Sequence, residues 1–459
     1  MNQEQKIVII GCGAGGGTAA QFAKKQHRKS KILILEKGKY PQYSKCGLPY
    51  VLSGVIPKLS DLFEFSEEWF KKAGITLSTN TLVDKIDVNK KKVIAKKDDE
   101  IIEESYDLLI ISTGSKPFIP PIKNIFLKDK LIDGVFSIRT IDDIKKIQNS
   151  VKKGKRAVVI GAGFIGLEIA DNLNKIGINV KVVEALPQIL LTTFDEDMSK
   201  IIYNKISEKI DIILNSTVTK IETKNGKINQ LLIKNNKTNI EQKIITDFLI
   251  LAVGCRPEVS LAKNIGCKIG KTGGIIVNEK CETNIKNIYA VGDCTEFLDF
   301  VTKRPVQIGL GSIAVRQAIT AGINASGGNY LMPKGVLQTR TSKFFGLEIA
   351  GVGPTMDFLI SDKIVTATFK GFSLPPYFPG GKPISLKVIA DKKSGKIISA
   401  QAVGNNAAQR INSFATAILA EMTIEDFKKL ETAYSPAVAP TIDIVTIVCD
   451  IISKKLKIK

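Results

Sequence analysis

The stretch "YSKCGLPYVLSG", Tyr43 to Gly54, sets a thiol, Cys46, between a lysine and a glycine. As a thiolate, Cys46 could attack a disulfide or a sulfur acceptor, or pass through a sulfenic acid if peroxide or oxygen were the oxidant. The other six cysteines (Cys12, Cys255, Cys267, Cys281, Cys294 and Cys449) are scattered, form no C-x-x-C pair and read as buried thiols. A second chemistry is written in glycine. Gly11, Gly13 and Gly16 follow the apolar run Ile7 to Ile10 and open a helical pattern, and Gly161, Gly163 and Gly166 repeat that arrangement in "RAVVIGAGFIGLEIA". The first glycine of such a set makes a tight turn, the second admits a pyrophosphate to the backbone, and the third lets helix and strand pack closely. Each copy is completed by a second strand ending in an acid, "KILILE" in Glu36 and "VKVVE" in Glu184, placed to bind ribose hydroxyls. A carboxylate at Glu184 repels a 2′-phosphate, so the second site favours NADH over NADPH. One chain therefore holds two dinucleotides.

The elements that position these residues are two strand–turn–helix–strand units, the mark of an α/β chain. At 459 residues the chain can bury a core in each of two or three domains without a disulfide framework. Met1 to Lys6 leads straight into a buried-strand pattern without a secretory signal, and a reducing cytoplasm is the expected compartment. No apolar run reaches the roughly 18 residues needed to cross a bilayer, and "TIDIVTIVCDII" reads as a buried helix, so no membrane partner is expected. The formal charge of +21 arises from 66 Lys+Arg against 45 Asp+Glu, but the lysines are spread along the chain and aromatic residues make up only 7%. Nucleic acid is accordingly not the expected partner, although small polyphosphate ligands benefit from the field. "NASGGNYLMPKG", Asn324 to Gly335, is a turn-rich boundary; beyond it come the strand-like "PISLKVIAD" and "KIISAQAVG", then the helical "AAQRINSFATAILAEM".

Together the two fingerprints resemble those of the pyridine nucleotide-disulfide oxidoreductases, over essentially the whole chain. "LLIISTGSKP", with Thr113 and Gly114, and "NIYAVGDC", with Asp293, are similar to the family's further FAD-contact segments, and "LILAVGCRPE", with Gly254, resembles the strand that closes its NAD domain. The resemblance implies two Rossmann-like dinucleotide-binding domains and a C-terminal α+β dimerisation domain. Its boundaries fall at 1–125 and 283–325 for FAD, 126–282 for NAD and 326–459 for the interface of a homodimer. Asp293 would meet the flavin's ribityl chain.

Within that family, enzymes of the C-x-x-x-x-C type have a second thiol where this chain has Val51, and a C-terminal catalytic histidine where it has none, since His27 is its one histidine. "SKCGLPY" is similar instead to the single-cysteine group of coenzyme A-disulfide reductases, NADH oxidases and NADH peroxidases. Ala14 occupies the place where the oxidases and peroxidases often carry a histidine, which favours a disulfide oxidant. "PPYFPGGKPISLK" and "YSPAVAPTIDIV" resemble segments that reach the active site across the dimer, with Tyr377 and Tyr434 as proton donors; a tyrosine frequent in the second is here Val438. The implied scheme sends a hydride from NADH to FAD beside Glu168, and then two electrons through Cys46 to a small disulfide. Lys45 is expected to help stabilise the thiolate. Oxygen, peroxide, sulfur and polysulfide are the alternative oxidants, and a basic nucleic-acid-binding flavoprotein is the alternative from outside enzymology.

Overall fold

The computed structural model describes residues 5–152 and 154–457. Its first sheet has five parallel strands in the order Ile288–Ala290, Leu108–Ile111, Lys6–Ile10, Lys31–Leu35 and Ile75–Ser78. Ile9 is in register with Ile34 on one side and Ile110 on the other. The central strands are apolar without alternation because both faces are covered. Helices Ala14–Gln26 and Gly311–Ala325 pack together on one face, so tightly that a Cβ at Gly322 would lie 2.5 Å from the carbonyl oxygen of Ala19. The antiparallel ladder Thr81–Asp87, Lys92–Lys97 and Glu100–Ser105 supplies Val83, Ile86, Val93 and Ala95 to the core on the other face.

The second sheet repeats the first with strands Val135–Ser137, Phe248–Leu251, Arg156–Ile160, Asn179–Val183 and Asp211–Ile213, all parallel. Val159, in register with Val182 and Ile250, occupies the place that Ile9 holds in the first. In both sheets the chain order reverses at the central strand, which opens a crevice beyond its C-terminal end. Both fingerprints sit at that point.

The C-terminal region is a five-stranded antiparallel sheet, Arg340–Phe344, Leu347–Val352, Ile397–Gly404, Pro383–Asp391 and Ile364–Phe372. Helices Ala407–Leu419 and Ile444–Lys457 cover one face, and the second, "TIDIVTIVCDII", buries Ile444, Val448, Cys449 and Ile452 as a buried helix should. The sequence disclosed two of these five strands clearly. The edge strand "RTSKF" carries no apolar alternation, because the sheet's other face meets the second nucleotide-binding unit through polar groups. Arg340 donates to the Thr192 carbonyl at 3.1 Å and to Thr193 Oγ1 at 2.7 Å. Lys387, buried within a strand, pairs with Asp195 at 2.9 Å and Asp197 at 2.8 Å. One apolar cluster joins the cysteine segment (Leu48, Val51, Leu52), the second sheet and its helices (Val159, Leu167, Phe194) and the C-terminal sheet (Phe344, Ile349, Val403). Among the described residues no helix is long and apolar enough to cross a membrane.

Candidate active site

The two fingerprints are built alike. Gly11 has φ +98° and Gly161 φ +102°, so a side chain is strained at either. A Cβ would also lie 2.4 Å from the Ser112 carbonyl oxygen in the first turn and 2.5 Å from that of Ala252 in the second. At Gly13 and Gly163 an added Cβ would meet nothing within 4 Å, so each presents bare backbone to an open crevice. At Gly16 and Gly166 it would lie 1.8 and 1.9 Å from the carbonyl oxygens of Gly11 and Gly161, which is the helix–strand approach that only glycine permits. The acids close each unit identically. Glu36 accepts from the Cys12 and Gly38 amides at 2.6 and 2.7 Å, and Glu184 from those of Ala162 and Leu186 at 2.6 and 3.0 Å. A carboxylate has about four lone-pair sites, so two remain for ribose hydroxyls in each.

Beside the first fingerprint lies a cavity of about 890 Å³, within the ~300–1,000 Å³ range of ligand sites. Gly11, Gly13, Glu36, Cys46, Thr113, Gly114 and Asp293 line it, so the structure gathers seven sequence-predicted residues on one wall system, with Gly16 beneath Gly11. Thr113 donates to the Glu258 carbonyl at 2.6 Å and Gly114 turns at φ +70°, fixing the bend after the strand Leu108–Ile111. These open glycine backbones and paired acids fit a dinucleotide. Gly161, Gly163, Gly166 and Glu184 form the second cradle, and Gly254, at φ +91°, turns the chain after the strand Phe248–Leu251.

One residue of the cavity wall, Arg139, escaped the sequence reading. Arg139 donates from Nη2 to Asp293 Oδ2 and to Ser115 Oγ, both at 2.7 Å, and Ser115 itself donates to Asp293 at 3.0 Å. The Asp293 carboxylate is thereby held rigid and partly neutralised at the cavity wall. The available signal was "RTIDD", in which Thr140 and Asp143 form a capping box that starts a helix immediately after Arg139.

Cys46 sits in the short 3₁₀ turn Lys45–Gly47, which runs into the helix Leu48–Leu52. A Cβ at Gly47 would lie 2.3 Å from Leu62 Cδ2, so a side chain there would displace Leu62 from beneath this turn. Among the described residues Cys46 is the only cysteine on the cavity wall; five others are buried, and Cys255 is intermediate. Its thiol is exposed to the cavity and crowded elsewhere by protein. Burial pushes its pKa up, followed by the nearby carboxylates Glu168 and Asp293, and Arg139 opposes them. Lys45, the residue before Cys46, lines the same cavity. Its own head group is crowded by protein and sits near Arg139, which pushes it down to about 8. Cys12 and Cys294 are buried, and desolvation holds their thiols well above the ordinary range.

Glu168 lies on the second fingerprint's helix, Phe164–Lys175, and burial raises its carboxyl pKa above the usual range. Tyr377 and Tyr434 share a hydroxyl–hydroxyl hydrogen bond of 3.1 Å and stand exposed on the C-terminal region, and neither lines the cavity. That bond couples the two hydroxyls, favouring ionisation of one while the other stays protonated as its donor.

Comparison with known proteins agrees with this geometry. Residues 5–318 match the family model for pyridine nucleotide-disulphide oxidoreductases, and residues 339–444 match the dimerisation domain of the same family. The chain is 36% identical to an NADH oxidase of Methanocaldococcus jannaschii over 99% of its length and 100% of that protein. It is 32% identical to a CoA-dependent NAD(P)H sulfur oxidoreductase of Pyrococcus furiosus, over 96% of this chain and 97% of the other. A coenzyme A disulfide reductase of Staphylococcus haemolyticus is 28% identical, over 97% and 98%. Among solved structures, reduced Bacillus anthracis CoADR-RHD superposes with a TM-score of 0.93 at 32% identity, over 99% of this chain and 81% of that one.

Proposed function

Because the chain belongs to the pyridine nucleotide-disulphide oxidoreductase family of FAD-dependent enzymes, we propose that it reduces a small disulfide, coenzyme A disulfide or a close analogue, at the expense of NADH through Cys46. The observation that carries this reading is the placement of one accessible thiol, Cys46, on the wall of the cavity that the first fingerprint opens into. FAD, held by Gly11, Gly13, Glu36, Thr113, Gly114, Arg139 and Asp293, supplies the two-electron carrier between nicotinamide and thiol.

The chain's own residues do the rest. The second cradle holds NADH, and Glu184 discriminates against NADPH by facing the 2′ position with a carboxylate. Glu168, near enough to Cys46 to raise its pKa, would stand beside the nicotinamide. The Cys46 thiolate attacks the substrate disulfide, one sulfur of which bonds to Cys46 while the other leaves as a thiolate and takes a proton. Two electrons from NADH then cleave the mixed disulfide, freeing the second thiol and returning Cys46 as a thiolate. The proton for the leaving group comes from Tyr434, backed by Tyr377, of the other subunit of a homodimer. Support for that arrangement is the matched dimerisation domain, together with a tyrosine pair that stands exposed and away from its own chain's cavity.

A reductase of sulfur or polysulfide is the second reading, favoured by the similarity to the Pyrococcus enzyme and by Val438 in place of a family tyrosine. NADH consumption with coenzyme A disulfide, with polysulfide and with oxygen alone tests the assignment. The proposal expects the largest kcat/KM with the disulfide, and turnover by oxygen alone at an equal rate would overturn it.

A further inference from the structure

Besides its apolar contacts, the C-terminal sheet reaches the second fingerprint's helix through a hydroxyl. Ser342, on the edge strand Arg340–Phe344, donates from Oγ to Glu168 Oε1 at 2.5 Å and is itself buried. The backbone carbonyl of Glu168 is held separately: it accepts from Asn172 Nδ2 at 2.7 Å, and Asn172 Oδ1 accepts from Ser53 Oγ, at the end of the cysteine helix, at 2.5 Å. Asn172 is fully buried. Glu168 is therefore fixed from two directions, its backbone by the cysteine segment and its carboxylate by the C-terminal sheet.

We propose that Ser342 is a positioning residue for the Glu168 carboxylate, holding it in one rotamer toward Cys46 and the nicotinamide site, so that the interface domain contributes to the reductive half of its own subunit's reaction. The inference rests on the reading of Glu168 as the carboxylate facing the nicotinamide. Its physical basis is that a half-buried carboxylate on the second fingerprint's helix is stabilised by a donor, and the donor found is not on that helix or the cysteine segment. The titratable groups that face Glu168 are Asp171 on its own helix and Cys46 and Tyr50 from the cysteine segment. Lys175 pairs with Asp171 at 2.7 Å. The Ser342 hydroxyl favours the ionised carboxylate against burial and Asp171, so its removal moves the protonation of Glu168 to higher pH.

Rapid mixing of the FAD-loaded enzyme with NADH across pH 5 to 9 tests this with Ser342→Ala, Ser342→Thr and Glu168→Gln. Ser342→Ala should retain FAD, slow flavin bleaching by about tenfold, and shift the acidic limb of the rate profile upward. Ser342→Thr, which keeps the hydroxyl, should restore rate and profile. If Ser342→Ala matches the wild type in both while Glu168→Gln is slow, the positioning role is overturned and the reading of Glu168 stands. If Glu168→Gln itself bleaches at the wild-type rate, the role of Glu168 fails and the inference falls with it. A slow Ser342→Ala whose profile is unshifted and which Ser342→Thr does not rescue would also overturn the proposal, as a packing defect.

Discussion

The two fingerprint sites share backbone geometry nearly atom for atom, yet their surroundings differ. The first opens onto a deep cavity whose further walls come from distant parts of the chain, Lys45 and Cys46, Arg139 and Asp293. Its helix is small-residue rich, "AGGGTAAQ", and packs beneath the helix Gly311–Ala325. The second presents exposed Ile165 and Leu186 beside its cradle, and its helix, "FIGLEIADNLNK", sends Leu167, Ile169 and Leu173 into the core shared with the cysteine segment and the C-terminal sheet. One motif thus serves two kinds of occupancy. Walls drawn from many segments suit a resident cofactor, whereas an open cradle on a firmly anchored helix suits a nucleotide that must come and go in constant alignment with Cys46.

The sharpest way to break this comparison is to fill the third glycine of each site. Gly16→Ala puts a Cβ onto the Gly11 carbonyl, and Gly166→Ala onto that of Gly161, each an overpacking costing about 1–3 kcal/mol or more. The first variant should purify without flavin and without activity. The second should purify yellow, with a raised KM for NADH. Absorbance at purification and NADH titration distinguish them, and equal loss of flavin in both would erase the distinction between the sites.

A smaller effect sharpens the account of the second site. Glu184→Ala removes the carboxylate proposed to face the ribose, so the kcat/KM ratio of NADH over NADPH should fall roughly 10–100-fold, about the worth of one charge-assisted hydrogen bond. An unchanged ratio would mean that Glu184 serves only the turn it caps through Ala162 and Leu186.

The smallest concerns the first cavity without its ligand. Lys45 is held at about 8, chiefly by burial, so below that pH the folded apoprotein carries a charge it would rather lose. Unfolding restores the ordinary, higher value, and stability therefore rises with pH between about 8 and 10.5, where the unfolded chain binds the extra proton. Lys45→Met should stabilise the apoprotein at pH 7 by on the order of 1 kcal/mol, discounted because the side chain reaches the cavity water. The gain should vanish above about pH 10.5, as denaturant titration on either side of that window would reveal.

What the sequence disclosed was what is local. Buried parallel strands read as unbroken apolar runs such as "IVII" and "AVVI", and glycine spacing and terminal acids mark the cradles because turn, approach and packing are settled within about 25 residues. Arg139 lies 154 residues from Asp293, and Ser342 lies 174 from Glu168, so no spacing rule connects either pair. Charge adjacency is also an incomplete guide: Arg139, 93 residues from Cys46, opposes the carboxylates around the thiol. The strand "RTSKF" was illegible for a related reason. Its buried polar residues are explained by partners in another domain, and read alone they argue against burial.

Cys46→Ser tests most directly the proposal that electrons leave the cofactor through this one sulfur. In rapid mixing the variant's flavin should bleach with NADH at close to the wild-type rate, because holding and orienting the two nucleotides does not use the thiol. Subsequent addition of coenzyme A disulfide should leave it bleached, with disulfide reduction lost by more than the roughly 10²–10⁴-fold expected for removal of a proton donor. Reoxidation of the variant by disulfide at near the wild-type rate would contradict the account and return Cys46 to the status of a packing residue in its turn.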